Sequence, residues 1–448
     1  MSSPRPILNA RLVPLLLALG SAMSTHGQSL VDLYAAARGY DASYQSSKLQ
    51  FDASLAKADQ AQALLMPTVG LTASASQITQ DTLSPAVAAK SYTYNSQSAT
   101  LAVTQPLYRP SNSASYEQGK LLADLAQAQL LAAEQDLVVR VSQAYFDVLA
   151  STDSLAFVSS QKTAVAEQLA SAKRNFEVGT STITDSREAQ ARFDLVVAQE
   201  LAAENDLRVK SIALNQLVGK QDARPNPLLA PVVLAALQPA LVDTWVQQSE
   251  ASHPGIRQLE IALNVAKLET QKAQAGHKPT LDLTGSFTAV NFADGTSTAA
   301  NVDSRANQAS IGLSFTLPLF AGYAIQNRVK ETLALEDKAR ADLEATKRSV
   351  AQGTRTAFFG VQSGQAQVKA LEAAEVSSQS ALDANKLGYQ VGVRINIDVL
   401  NSQSQLFDTK AKLAKARYDV LVGGLKLRQA AGTLKADDLQ PINSQLAK

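Results

Sequence analysis

The chain has 448 residues, of which 46% are apolar, 18% charged and 5% aromatic, and 41 Lys and Arg against 40 Asp and Glu leave a formal net charge of +1. That balance offers no basic excess to neutralise phosphates, which argues against a nucleic-acid partner. With no cysteine there is no thiol catalysis, cysteine-ligated zinc, iron–sulfur cluster, disulfide framework or lipoprotein anchor, and His26, His253 and His277 are too far apart in sequence for a metal pair.

The N-terminus reads as an export signal. Arg5 and Arg11 precede the apolar run Leu12–Leu19, and small or polar residues follow at Gly20–Gln28. This charged, apolar, small-residue order is that of a secretory leader, so residues 1–28 are expected to be removed, with cleavage between Ser24 and Gln28. The apolar run is short against the roughly 20 residues a spanning helix needs. No later stretch is long and apolar enough to be one.

The rest of the chain is one pattern written twice. At an offset of about 212 residues, Pro67-Thr68-Val69-Gly70-Leu71-Thr72 matches Pro279-Thr280-Leu281-Asp282-Leu283-Thr284, and Thr104–Tyr108 matches Thr316–Phe320. One residue further on, Ala144-Tyr145-Phe146 matches Ala357-Phe358-Phe359 and Phe176–Gly179 matches Tyr389–Gly392. Asp185 then falls on Asp398 and Gly219 on Gly432. Self-similarity of this kind decides an architecture before any local reading does. Four prolines in Pro225–Pro239 mark the junction, giving expected units of 29–230 and 231–434 and a C-terminal tail of 435–448.

Within each unit the predicted elements run in the same order. A helical stretch (about 30–65, then about 241–275) leads into two strand-like runs, a very long helix, a Gly-containing turn and a shorter helix. The strands lie at about 68–107 and 280–318 and show period-2 alternation. Val69, Leu71 and Ala73, Leu101 and Val103, Leu281, Leu283, Phe287 and Ala289, and Ile311, Leu313, Phe315 and Leu317 are spaced by small or hydroxyl-bearing residues. Each run is read as 10–12 residues, near the roughly 9–11 of a tilted membrane strand. The windows 68–109 and 280–323 hold under a fifth of the chain yet eight of its 24 aromatics, mostly at strand ends, as in the girdles of outer-membrane barrels. Four strands cannot close a barrel and lipid tolerates no open edge, so several chains must pool them.

The long helices are expected from Pro110 to Phe176 and from Tyr323 to Tyr389, with Gly353, Gly360 and Gly364 as weak points in the second. Leu137, Val141, Ala144, Val148, Ser151, Leu155 and Val158 follow heptad spacing, repeated as Val350, Thr354, Ala357, Val361, Gly364, Val368 and Leu371. Such a seam is that of a coiled coil. Shorter helices stacked end to end against each long one would make a wall of uniform height.

The residues at the turns carry a family resemblance. Gly388-Tyr389-Gln390-Val391-Gly392-Val393-Arg394-Ile395-Asn396-Ile397-Asp398-Val399-Leu400 and its partner Phe176–Asp185 resemble TolC-type outer-membrane efflux proteins, as do Ser29–Tyr34 and the run from Ala416 to Leu434. The resemblance implies a mainly α fold with a small β part: a homotrimer with a twelve-stranded outer-membrane barrel continued by a helical tunnel through the periplasm. It implies a passive exit duct for type I protein secretion or multidrug efflux, with no reaction and no cofactor. The partners implied are a periplasmic adaptor, an inner-membrane transporter of ABC or RND type and outer-membrane lipid.

By the same resemblance the tunnel closes near the Gly turns. Tyr389 and Arg394 would be latch residues with Thr184 and Asp185 as their partners, and Asp398 would line a constriction ring. The family often has a second aspartate where this chain has Asn401. Val178-Gly179-Thr180 and Val391-Gly392-Val393 would be adaptor-docking tips, without the leucine the family often has in third position. Read without the family, Asp185 and Asp398 are helix N-caps and Arg394 is a surface charge. The competing overall reading is a soluble periplasmic coiled-coil adaptor or scaffold, which leaves the alternating strands without a purpose. No catalytic fingerprint such as Gly-x-Ser-x-Gly, a phosphate loop or His-Glu-x-x-His occurs.

Overall fold

The computed structural model describes residues 27–84, 87–229, 231–296 and 302–447, so the expected leader lies almost wholly outside the described residues. The first half runs α1 (Leu30–Tyr40), α2 (Ala42–Ala63), β1 (Thr68–Ser84), β2 (Val87–Tyr108), α3 (Pro110–Glu177) and α4 (Ile183–Val218). The second runs α5 (Val242–Ser252), α6 (Pro254–Ala275), β3 (Thr280–Ala293), β4 (Ser304–Thr316), α7 (Ala324–Gln390) and α8 (Asn396–Ala430), followed by a 3-10 turn (Ala436–Leu439) and α9 (Gln440–Asn443). The fold is mainly helical with a single small antiparallel sheet, and the element order repeats.

The leading helix of each half is two helices, not the single stretch that composition suggested. Asp41 leaves the helical region (φ −59°, ψ 116°) and caps α2, its carboxylate accepting from the Tyr44 N–H at 2.8 Å. In the second half Pro254 at the first position of α6 forces His253 extended, and His253 Nδ1 accepts from the Gly255 N–H at 3.1 Å. A residue before proline is sterically kept out of the helical region.

The long helices are continuous over 68 and 67 residues, roughly 100 Å each at 1.5 Å per residue. Gly353, Gly360 and Gly364 do not interrupt α7. The seams are the packed faces: Leu137, Val141, Val148 and Ser151 are buried on α3, and Thr354, Val361 and Val368 on α7. At Gly364 a Cβ would stand 2.9 Å from a Val420 methyl, so the small residue sets how closely α8 approaches.

The main core lies at mid-height, where both halves meet. Phe146 stacks on Tyr418 with ring centroids 5.5 Å apart. The fully buried Tyr145 donates to the carbonyls of Gln28 (3.2 Å) and Asn226 (3.0 Å). Residues after Leu434 fold back into this core through Leu439, Ile442 and Leu446, and Leu446 bridges Leu228.

The sheet order is β1-β2-β3-β4, all antiparallel. Its strands are 17, 22, 14 and 13 residues long, longer than the 10–12 expected, because pairing continues past the apolar alternation into polar sequence. Register aligns apolar rows straight across the four strands: Val69, Val103, Gly285 and Ile311 in one, Leu71, Leu101, Phe287 and Ala309 in the next. These side chains are exposed, Leu71 by 72% and Ile311 by 82%. The opposite face carries hydroxyl pairs across neighbouring strands, Ser74 with Ser98 (2.8 Å), Thr100 with Thr288 (3.0 Å) and Ser286 with Ser310 (2.9 Å). An exposed apolar face backed by a polar one is the lipid-and-lumen pattern of a barrel wall. Tyr94 and Phe292 meet edge to face near one end of the sheet, and Phe320 and Tyr323 lie beyond the other.

Among the described residues, one ion pair joins the sheet to the start of a long helix. Arg109, at the head of α3, grips the buried Asp282 of β3 through Nε (2.7 Å) and Nη2 (2.5 Å).

Candidate gate and docking tips

Both Gly turns have the same geometry. At the end of α3, Thr180 N–H donates to the Asn175 carbonyl (2.8 Å) and Gly179 N–H to that of Phe176 (3.0 Å). At the end of α7, Val393 N–H donates to the Gly388 carbonyl (2.9 Å) and Gly392 N–H to that of Tyr389 (3.1 Å). These are paired Schellman closures, which need a left-handed residue, and Gly179 (φ 78°) and Gly392 (φ 80°) supply it. Each turn presents bare apolar side chains at the same end of the molecule: Val178, Val391 and Val393 are 73%, 64% and 75% exposed.

The two carboxylates just after the turns are third helical residues rather than N-caps. Thr182 is the N-cap of α4, and Asp185 closes a capping box with it, accepting from the Thr182 N–H at 3.0 Å while the Asp185 N–H reaches Thr182 Oγ1 at 3.2 Å. Ser181 donates to the same carboxylate at 2.7 Å, and these hydroxyls hold Asp185 below the usual carboxylate range. Thr184 lies in the same first turn. In α8 the N-cap is Ile395, without a side-chain bond, and Asp398 stands at the third position.

Within one chain, these links differ from the partners the family suggests. Arg394 Nη1, just before α8, lies 3.6 Å from Asp398 Oδ2 in the first turn of that helix, rather than on Asp185. The Tyr389 hydroxyl accepts from Asn175 Nδ2 at 3.3 Å, which ties the end of α7 to the end of α3. Asn401 Oδ1 accepts from Arg192 Nη2 at 2.5 Å, tying α8 to α4. Higher up, Gln161 of α3 donates to Ser404 of α8 at 3.2 Å.

Asn175, Ser181, Thr182, Arg192 and Asn396 are the residues sequence reasoning missed. Thr182-x-x-Asp185 was a readable capping-box signal. Ser181 bonds the same carboxylate four residues on, whereas Asn175 and Arg192 are defined only by packing between elements more than 200 residues apart. Asn396 is 1% exposed, and neither atom of its amide has a hydrogen-bond partner. The apolar clusters here are small: Val165, Leu169, Ala172, Ala189, Val196 and Leu400 in one, Leu382, Val399 and Leu406 in another. Single polar bonds and thin apolar contact hold α7 and α8 against α3 and α4 at this end.

No helix among the described residues is long and apolar enough to cross a membrane. The profile of the family described as "Outer membrane efflux protein" matches residues 33–220 and 245–433. The "Outer membrane protein TolC" of Vibrio cholerae serotype O1 is 32% identical over 441 residues, 97% of this chain and 98% of that protein. The "Alkaline protease secretion protein AprF" of Pseudomonas aeruginosa is 30% identical over 353 residues, 78% of this chain and 72% of that one. In fold, the chain superposes on the outer membrane protein VceC of Vibrio cholerae with a TM-score of 0.77 at 19% identity, covering 90% and 96% of the two chains. The CmeC outer membrane channel of Campylobacter jejuni gives 0.78 at 17% identity, over 99% and 97%. Relatives of this kind do not favour a soluble periplasmic scaffold. A sheet with a bare apolar face, a wall of long helices and full-length likeness to outer-membrane channels converge: the chain is an outer-membrane channel protein with a periplasmic helical tunnel, and it belongs to the outer membrane efflux protein family.

Proposed function

We propose that three copies of this chain assemble into one passive exit duct, gated at the periplasmic end and docked there to an adaptor and an inner-membrane transporter of ABC or RND type. The observation that carries the trimer is the open four-stranded sheet. The outer edges of β1 and β4 have no partner strand among the described residues, and unpaired backbone in lipid costs several kcal/mol per group. Pooling three such sheets removes every edge. Relatives named for secretion of proteases and for efflux support a duct whose wall does not select its cargo.

In this reading Val178-Gly179-Thr180 and Val391-Gly392-Val393 are the tips an adaptor covers, their exposed valines providing the contact. Asp398 and Asn401 line the constriction. Tyr389 and Arg394 are the latch, with Thr184 and Asp185 of a neighbouring chain as further partners and Asn175 as the partner within the chain. Partly exposed polar links contribute about 0–1 kcal/mol each, so three copies of a few links favour closure by only a few kcal/mol. Adaptor docking can overturn that through its differential affinity for the open state.

The test is the mass of the detergent-solubilised complex together with its conductance in planar bilayers. Intact trimers carrying Arg394→Ser with Tyr389→Phe should conduct more than wild type. A stable monomer with a complete sheet would refute the assembly, and unchanged conductance in intact trimers would remove these residues from the latch.

A further inference from the structure

The charge at the constriction differs from what the carboxylates alone suggest. Arg394, just before α8, and Asp398 and Asn401 within it lie three or four residues apart on the more open side of the helix start, while Asn396, Val399, Leu400 and Gln403 face inward and are buried. On that outer face the one carboxylate, Asp398, already has a guanidinium 3.6 Å away in Arg394. One turn further along, the acceptor is a neutral amide, Asn401, and the group it holds is a second guanidinium, Arg192 of α4, at 2.5 Å. Among the described residues no carboxylate forms an ion pair with Arg192. An amide oxygen positions a guanidinium without cancelling its charge, and arginine stays protonated at any working pH. Arg192 therefore keeps its +1 charge one turn along from the Asp398–Arg394 pair, three such charges in a three-chain ring.

We propose that Arg192, held in place by Asn401, sets the ion preference of the periplasmic constriction and makes it pass anions ahead of cations. The inference rests on the reading above that Asp398 and Asn401 face the lumen. Rings of acidic side chains select cations and rings of Arg or Lys select anions, and in a narrow, partly dehydrated passage a fixed charge is poorly screened. Solutes and peptide segments bearing carboxylates or phosphates therefore cross this end more readily than polycations. The Asn401 amide is the positioning element. It draws the flexible Arg192 side chain from α4 onto the face of α8, where the charge acts on the passage.

The experiment measures reversal potentials of assembled trimers in planar lipid bilayers under a KCl gradient, with multivalent-cation block from the periplasmic side as a second readout. Wild type should show a reversal potential favouring chloride and little block by hexamminecobalt. Arg192→Gln should shift the chloride-to-potassium permeability ratio several-fold toward potassium, and Arg192→Lys should retain the chloride preference. Arg192→Gln with Asn401→Asp should become cation-selective and sensitive to the block. If Arg192→Gln fails to assemble, Asn401→Asp alone carries the test, since a carboxylate against Arg192 neutralises it and should reduce chloride preference. Lys338→Gln, on the exposed flank of α7, should change nothing. A wild-type preference for potassium, or an Arg192→Gln channel with unchanged selectivity, overturns the inference while leaving the duct intact. Assembled trimers that pass no current overturn the duct reading itself, and the inference with it.

Discussion

Asn396 is the residue at which the structure makes its sharpest energetic statement. It is the first residue of α8, 1% exposed within a single chain, and neither its Nδ2 nor its Oδ1 has a partner. Because its own chain already covers it, a neighbouring chain cannot reach either atom without rearrangement. A buried polar group left unpaired costs roughly 1–3 kcal/mol, whereas an apolar group of similar shape in its place is neutral or stabilising. Asn396→Leu loses no hydrogen bond, since the N-terminus of α8 has no side-chain cap, and it removes two orphaned groups. Two such groups at about 1–3 kcal/mol each, less about 1 kcal/mol for the slightly larger side chain, give an expected net gain of about 1–5 kcal/mol per chain. Thermal unfolding of detergent-solubilised trimers, followed by far-UV circular dichroism, should show the Asn396→Leu protein melting above wild type. Asn396→Ala should gain less, because it leaves a void where Leu fills one. A melting temperature for Asn396→Leu below wild type would mean that the amide is bonded in the assembled channel, and the reasoning would fail.

Asp41→Ala removes both the cap of α2 and the two-point contact with Arg140 (3.0 Å each), and should cost about 1–2 kcal/mol in a denaturation midpoint. Arg140 and the Tyr44 N–H hold the Asp41 carboxyl below its usual range, so this contribution is present above the ordinary carboxylate value and is lost as pH falls through the lowered one. Asp153 runs the other way: burial pushes its carboxyl up, only partly offset by the Tyr418 hydroxyl at 2.6 Å. The folded state therefore binds that proton more tightly, and stability falls as pH rises through the raised value. Asp153→Asn should flatten the fall in melts taken between about pH 4 and 8, whereas Tyr418→Phe, which strips the half-buried carboxylate of its donor, should destabilise by about 1–3 kcal/mol. Arg109→Ala leaves Asp282 buried without its partner and should lower the yield of heat-resistant trimers on gels, at about 1–3 kcal/mol per chain once the partial exposure of Arg109 is allowed for. Adding Asp282→Asn should recover most of that yield.

Sequence alone determined the elements whose signal is periodic. The 212-residue offset, the alternation of Val69-Leu71-Ala73 and Ile311-Leu313-Phe315, the proline-free run after Pro110 and the Gly turns are all local patterns, and local backbone physics turns each into a strand, helix or cap. The repeat even fixed which elements correspond. Where a single residue decided the outcome, composition blurred it: Asp41 and Pro254 each cut a helix that averaged propensity ran straight through. Partnership is another matter. The contacts of Asn175 with Tyr389, of Arg192 with Asn401 and of Arg109 with Asp282 join residues 173 to 214 positions apart, and no periodicity encodes them. Only the folding of the second half against the first brings them within hydrogen-bond reach. The same packing encloses Asn396 with nothing to bond. What a side chain would be was therefore legible in the chain, but what it would touch, and hence the charge and the weak points of the closed end, was decided by tertiary structure, because a hydrogen bond depends on a distance that sequence separation does not specify.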